Sequence, residues 1–301
     1  MKKNKVLIIG GTGQLGYDCT HVLQNLFQVK SLGSDEIDIT DLRSIIEQVY
    51  IFKPEFILNC AAYNKVDDCE NNRNRAWMVN ALGPMNLSLC AKNFGAKLIH
   101  ISTDYVFDGS KMLPDSYSEN DQTNPLSYYG VSKLEGEKII RSITQNHLII
   151  RTSWLYGIHG ENFLKTILRH TILDPRRQLK IVNDQFGSPT YTKRLALQIK
   201  ALIDLNKFGT YHASSEGCCN WYDFAKLFLE LMKVPNRIVP CSTKQYPTPA
   251  IRPKNSNLEN KLLKREQMNL MSNWEEELKD FVFTNRTELL HEVSKLKEVK
   301  S

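Results

Sequence analysis

Short apolar runs alternate with helically spaced apolar positions through the first half of the chain. Val6-Leu7-Ile8-Ile9 is the first run, and Leu15, Cys19, Val22, Leu23 and Leu26 then recur at the spacing of one helix face. The pattern predicts further strands around Gln28 to Leu32, in Phe56-Ile57-Leu58-Asn59-Cys60, from Lys97 to Ser102 and from His147 to Thr152. Between them it predicts a helix around Leu42 to Phe52, a long one ending near Asn93-Phe94-Gly95, and one from Ser127 to about Ser142. Glycine suits the position just past a last helical turn. Alternation of this kind marks repeated βαβ units, so the expected class is α/β, with a doubly wound parallel sheet over residues 1–155.

A polar loop from Asp108 to about Pro125 interrupts the rhythm, and beyond residue 155 it becomes irregular. Helices are expected near Asn162 to His170, Thr192 to Leu205, Trp221 to Met232 and Trp274 to Phe281, separated by proline-bearing loops such as Ser188-Pro189-Thr190 and Tyr246-Pro247-Thr248-Pro249. Residues 156–301 therefore read mainly as a smaller, partly interleaved substrate-binding lobe at the carboxyl edge of the sheet, where open α/β folds bind ligands. A segment of about 180–212 is expected to return to the first domain.

Composition narrows the function classes. Hydrophobic residues make up 42% of the 301 and charged residues 24%, a globular balance far from that of disordered chains. The net charge of +6 is scattered, with small clusters at Lys2-Lys3-Asn4-Lys5, Asp174-Pro175-Arg176-Arg177 and Lys261 to Arg265, so no nucleic-acid stripe is present. The first apolar run ends in glycine at Gly10, short of the roughly 7–15 residues of a secretory signal. No stretch reaches the ~18 apolar residues of a membrane span. A soluble cytoplasmic protein, with neither nucleic acid nor membrane as partner, is expected. The seven cysteines form an odd set without a C-x-x-C pair, which implies reduced thiols and no metal site; the adjacent Cys218-Cys219 reads as loop.

The chemistry begins at Gly10-Gly11-Thr12-Gly13-Gln14-Leu15-Gly16, between the first strand and the first helix. The first glycine of this G-x-x-G-x-x-G permits a tight turn, the second lets backbone approach a pyrophosphate, and the third lets helix and strand pack closely. That context, rather than the glycines alone, marks a dinucleotide site on a Rossmann-type sheet. Near the end of the second strand, Ser31-Leu32-Gly33-Ser34 carries no carboxylate before Asp35, so nothing there repels a 2′-phosphate, and Ser34 or Lys30 is within reach of one. NADPH is the expected cofactor, with NADH tolerated; Asp35 reaching back to a ribose hydroxyl is the competing arrangement.

Tyr129-Gly130-Val131-Ser132-Lys133 places a phenol and an ammonium four residues apart, on one helix face. That pair suits reduction of a ketone: the phenol gives a proton to the carbonyl oxygen, while the cation lowers the phenol pKa and bonds the nicotinamide ribose. Tyr128 has Ser132 at the equivalent spacing and reads as packing. A third hydroxyl is expected at the end of the fourth strand, in His100-Ile101-Ser102-Thr103-Asp104, where Ser102 and Thr103 point to opposite faces and both qualify.

These residues together resemble the dTDP-4-dehydrorhamnose reductases, a family of extended short-chain dehydrogenases. The likeness runs nearly end to end, through Gly10 to Gly16, Asn59-Cys60-Ala61-Ala62-Tyr63 with Val66-Asp67, Ser102 to Phe107, and Tyr129 to Lys133 followed by Leu134-Glu135-Gly136-Glu137. It continues in Arg151 to Gly157, Asn183-Asp184-Gln185-Phe186-Gly187-Ser188-Pro189-Thr190, and Pro247-Thr248-Pro249-Ala250 with Arg252-Pro253. The resemblance implies a Thr103, Tyr129, Lys133 triad, favouring Thr103 over Ser102, and a cofactor lined by Asp38, Ile39, Ala61, Ala62 and Tyr63. Thr103, Asp104, Trp154, Asp184, Gln185 and Arg252 would meet the substrate, a dTDP-linked 4-keto sugar reduced at C4. Gly33 stands where some members carry an acidic residue. A reductase of another nucleotide-linked 4-keto-6-deoxyhexose would look alike, and the likeness leaves room for a homodimer. Dehydratases follow the threonine with an Asp-Glu pair, whereas Asp104 is followed by Tyr105. Animal relatives that serve as non-catalytic NADP-binding regulatory subunits present a further reading, against which the complete triad argues.

Overall fold

The computed structural model describes residues 3–298, so Lys2 of the N-terminal basic cluster lies outside it. The first half runs β1 (Lys5–Ile9), α1 (Gln14–Leu23), β2 (Gln28–Leu32), α2 (Leu42–Phe52) and β3 (Phe56–Asn59). It continues through α3 (Val66–Asn71), α4 (Arg73–Trp77), α5 (Gly83–Phe94), β4 (Lys97–Thr103), α6 (Tyr128–Ile143) and β5 (His147–Thr152). These five strands and a sixth, Gly209–His212, form one parallel sheet in the order Gly209–His212, β5, β4, β3, β1, β2.

β1, β3, β4 and β5 each carry a buried apolar run because both faces of the sheet are covered, whereas the edge strands β2 and Gly209–His212 are more polar. On one face Leu15, Cys19 and Leu23 of α1, with Leu195, Ile199 and Leu202 of helix Thr192–Asp204, pack over Val6, Ile8 and Leu58. On the other, Ile45 and Val49 of α2, Leu87 and Ala91 of α5, and Ile140 of α6 pack over Leu7, Ile9 and Ile57. The chain leaves β1 for β2 on one side and returns to β3 on the other. This reversal opens a crevice beyond the carboxyl ends of β1 and β3, the place where such sheets take ligands.

A separate apolar cluster gathers Leu164, Leu168, Phe224, Phe228, Leu278, Phe281 and Leu289 from helices Phe163–Leu173, Trp221–Met232 and Trp274–Glu298. The last helix continues well past Phe281, because Val282, Leu289 and Val293 keep returning to its buried side. The segment expected as one long helix before Gly95 is divided. Asn72 adopts a non-helical φ of −111° and ψ of 49° between α3 and α4, and Met78–Leu82 forms a π-helical turn leading into α5. Gly95 itself ends α5 in the left-handed region at φ 73°. Among the described residues no helix is long and apolar enough to cross a membrane.

Candidate active site

The crevice, about 790 Å³ in volume, is floored by the glycine turn. The Gly10 and Gly11 amides both donate to the Leu32 carbonyl, at 3.0 and 2.9 Å, which folds the loop back over β2. Gly10 holds φ at +78°, and a β-carbon there would stand 2.7 Å from the Ala61 backbone nitrogen. Only glycine lets the loop lie so close to the end of β3. Gly10, Thr12, Gly13, Gln14, Leu15 and Gly16 line the crevice, whereas Gly11 turns toward Ser31 beneath it. No side chain caps the N-terminus of α1, so its leading amides remain available to an anion.

One wall carries Ser34, Asp38 and Ile39, and the opposite wall Ala61, Ala62 and Tyr63. Asp38 accepts from the Thr40 amide and hydroxyl, both at 2.8 Å, and these bonds hold its carboxyl below the ordinary value. Lys30 bonds Gln48 at 2.7 Å, and neither it nor Asp35 is among the lining residues. Arg75 of α4 brings a guanidinium to this wall; in the sequence it sits in a polar run that resembles any solvated helix face. Tyr63 is fixed by Asn80, whose Oδ1 accepts from the Tyr63 amide at 2.9 Å and whose Nδ2 donates to the Tyr63 carbonyl and to Ser132 Oγ. Asn80 lies in the π-helical turn, so the break in that helix serves the crevice.

The chemical groups converge from β4 and α6. Ser127 caps α6 by accepting from the Gly130 amide at 3.2 Å. A β-carbon on Gly130 would stand 2.2 Å from the Tyr105 carbonyl oxygen, so glycine lets α6 press against the turn after β4. Tyr129 and Lys133 thereby face the crevice beside Thr103, and the Tyr105 ring meets Tyr129 edge-on at 5.7 Å. Burial pushes the Tyr129 phenol upward in pKa, and the neighbouring Thr103 hydroxyl works against that. Burial takes Lys133 down to about 8. Its nitrogen donates to the Ile101 carbonyl at 2.6 Å and lies 3.3 Å from His100 Nε2.

The two strand-end hydroxyls have different partners. Ser102 donates to Glu137 at 2.6 Å, joining a buried cluster in which Arg151 grips both Glu137 oxygens at 2.9 and 2.7 Å. Thr103 donates to Asp104 Oδ1 at 3.0 Å and accepts from the Tyr105 amide. Burial raises the Asp104 carboxyl to about 6, and its Oδ2 has no hydrogen-bond partner among the described residues.

Trp154 lines the far end of the crevice with a left-handed φ of 48°, its ring stacked 3.6 Å from that of Trp221. The sequence reading missed Trp221, because it opens an amphipathic helix in which an aromatic reads as core. Arg252 lines the crevice and pairs with Asp67 at 3.0 and 2.7 Å. Asp184 and Gln185 do not line it; both bond Thr243 instead. Among the described residues no group of three or more His, Cys, Asp or Glu side chains could hold a metal ion.

The family model described as RmlD substrate binding domain matches residues 4–286. The spore coat polysaccharide biosynthesis protein SpsK of Bacillus subtilis is 36% identical over 92% of this chain and 96% of its own length. A dTDP-4-dehydrorhamnose reductase of Aggregatibacter actinomycetemcomitans is 37% identical over 92% of this chain and 97% of its own. Among solved structures, dTDP-4-dehydrorhamnose reductase from Bacillus anthracis in complex with NADP superposes with a TM-score of 0.90 at 37% identity, over 94% of this chain and all of that one.

Proposed function

We propose, from the premise that this chain belongs to the RmlD substrate binding domain family, that it is an NADPH-dependent oxidoreductase. The reaction is reduction of the 4-keto group of dTDP-4-dehydro-L-rhamnose to dTDP-L-rhamnose, a step in nucleotide-sugar and polysaccharide biosynthesis. The observation that carries this reading is the convergence of Thr103, Tyr129 and Lys133 on one crevice with the Gly10 to Gly16 turn.

The residues fit a dinucleotide. Gly10 and Gly16 let the loop close onto Ala61 and onto itself where β-carbons would collide with backbone, and the uncapped α1 amides would face a pyrophosphate there. Asp38 and Ile39 would hold the adenosine end, with Ser34 and Arg75 disposed to receive a 2′-phosphate, and Ala61, Ala62 and Tyr63 the other side. When bound, NADPH supplies the hydride.

The chain's own residues manage the proton. Tyr129 gives its phenolic proton to the carbonyl oxygen, and Thr103 orients that oxygen. The ammonium form of Lys133 eases loss of the phenolic proton. Asp104 Oδ2 accepts from a sugar hydroxyl, and Trp154, stacked on Trp221, offers the sugar nucleotide an aromatic face. Arg252, held by Asp67, presents a cation to the same ligand. Tyr105 supplies no second acid, so elimination of water is not supported.

The chain acts in the cytoplasm as a homodimer, and light scattering tests the assembly. Incubation with dTDP-4-dehydro-L-rhamnose and NADPH tests the activity. Cofactor oxidation yielding dTDP-L-rhamnose supports it, and oxidation no faster than without the chain refutes it.

A further inference from the structure

We infer that His100 is a positioning residue for Lys133: together with Asn59 it forms a hydrogen-bond ladder that presents an N–H, and no lone pair, to the lysine nitrogen. The inference rests on the proposal that Tyr129 and Lys133 are the working pair, and it adds what sets the lysine's charge.

The ladder is fixed at its far end. The Ala61 amide donates to Asn59 Oδ1 at 3.1 Å, which settles the orientation of the Asn59 side chain. Asn59 Nδ2 then faces His100 Nδ1 at 3.0 Å, and an amide nitrogen only donates, so Nδ1 is the acceptor. The ring is fully buried, and burial, with the nearby Lys133 charge, holds its pKa well below the ordinary value, so it is neutral and carries one proton. With Nδ1 accepting, that proton sits on Nε2.

His100 Nε2 lies 3.3 Å from Lys133 Nζ. An ammonium has three donors and no acceptor, so in the charged lysine two donors meet across this contact. In the amine form the lysine lone pair receives the imidazole N–H. The bond from Lys133 to the Ile101 carbonyl at 2.6 Å is made in either form and does not discriminate. The ladder therefore penalises the ammonium and acts in the same direction as burial.

Among the described residues the other titratable groups acting on Lys133 are Glu137, one turn along α6, and Cys60, past the end of β3; Tyr129 lies one turn back on the same helix. Glu137 and Cys60 favour the ammonium, but the Glu137 carboxylate is already bound by Arg151 and Arg141. The opposite ladder, with the proton on Nδ1, would require the Asn59 amide to turn over. It would then set Nδ2 against the Ala61 N–H, at the wall where Gly10 makes its close approach. Burial and the ladder thus both lower the lysine's pKa from its ordinary value.

Neutron diffraction from crystals of the perdeuterated wild-type chain, grown at mildly alkaline pH, locates the proton directly. Deuterium on Nε2 of His100 and none on Nδ1 is the expected result; deuterium on Nδ1, or on both nitrogens, overturns the inference. In His100→Gln the amide oxygen can turn to the lysine and accept from its ammonium. The alkaline limb of the kcat profile should then rise by about one pH unit or more, while cofactor Kd stays within about threefold. An unmoved limb contradicts the ladder. The diffraction result requires neither turnover nor a variant that folds, so it stands apart from the test of the reductase reading.

Discussion

Gly10 and Ala61 face each other across the switch point of the sheet, so closely that a β-carbon on Gly10 would stand 2.7 Å from the Ala61 nitrogen. Gly10→Ala must therefore move the loop or β3, and it also carries a positive φ that costs about 1–3 kcal/mol in a non-glycine residue. NADPH affinity should fall at least about tenfold. Fluorescence titration of the cofactor checks this, and unchanged affinity would mean that the loop does not hold the pyrophosphate.

Replacing Tyr129 by Phe removes the only phenol that faces Thr103 from α6. The expected loss in kcat is about 10²–10⁴-fold, the usual worth of a positioned acid, with NADPH binding little changed. Steady-state kinetics beside a cofactor titration separates the two effects. A variant with normal kcat would show that the proton comes from elsewhere.

Much of this geometry can be read from the residues alone. Strands covered on both faces carry short apolar runs, such as Val6-Leu7-Ile8-Ile9 in β1 and Leu148-Ile149-Ile150 in β5, which stand out in the sequence. Tyr129 and Lys133 are visible because helical spacing places them on one face. His100 is less visible, because one histidine inside an apolar strand looks like any satisfied core residue; its meaning comes from Asn59 and Lys133, distant in sequence. Nor does the sequence show that Glu137, from another element, accepts from the Ser102 hydroxyl. The final helix beyond Phe281 is hard to see in the sequence because its buried positions are sparse among charges, and its place is set by tertiary partners: packing against two other helices, the Arg286 bond to the Met232 carbonyl and the Lys165–Glu292 ion pair.

Glu137 is the buried anchor between α6 and β5, bound by Arg151, Arg141 and Ser102. Burial alone would raise its pKa, but the two arginines and the serine hold it down to about 2 against an ordinary 4.5. A depressed carboxyl stabilises the fold above its unfolded pKa, and that contribution is lost as pH falls from 4.5 toward about 2. Glu137→Gln leaves Arg151 uncompensated and should cost about 3–5 kcal/mol near neutrality. Urea unfolding over a pH series should also show a shallower acid decline in the variant. Parallel curves would contradict the role given to this cluster.

Asp104 has the opposite shift, raised to about 6 by burial. If its carboxylate accepts from a sugar hydroxyl, kcat/KM for the sugar nucleotide should fall as pH drops through about 6. Asp104→Asn should abolish that inflection and raise KM about tenfold, with NADPH binding unaffected. Persistence of the inflection in the variant would assign it to another group.

The proposed reduction depends on direct transfer of hydride to C4 of the sugar. Turnover of dTDP-4-dehydro-L-rhamnose with NADPH deuterated on the transferring face of the nicotinamide tests it most directly, read by proton NMR of the isolated product. Deuterium at C4 of dTDP-L-rhamnose and at no other carbon is the predicted result. A sugar product without deuterium, or recovery of unreduced ketone beside intact cofactor, would contradict it.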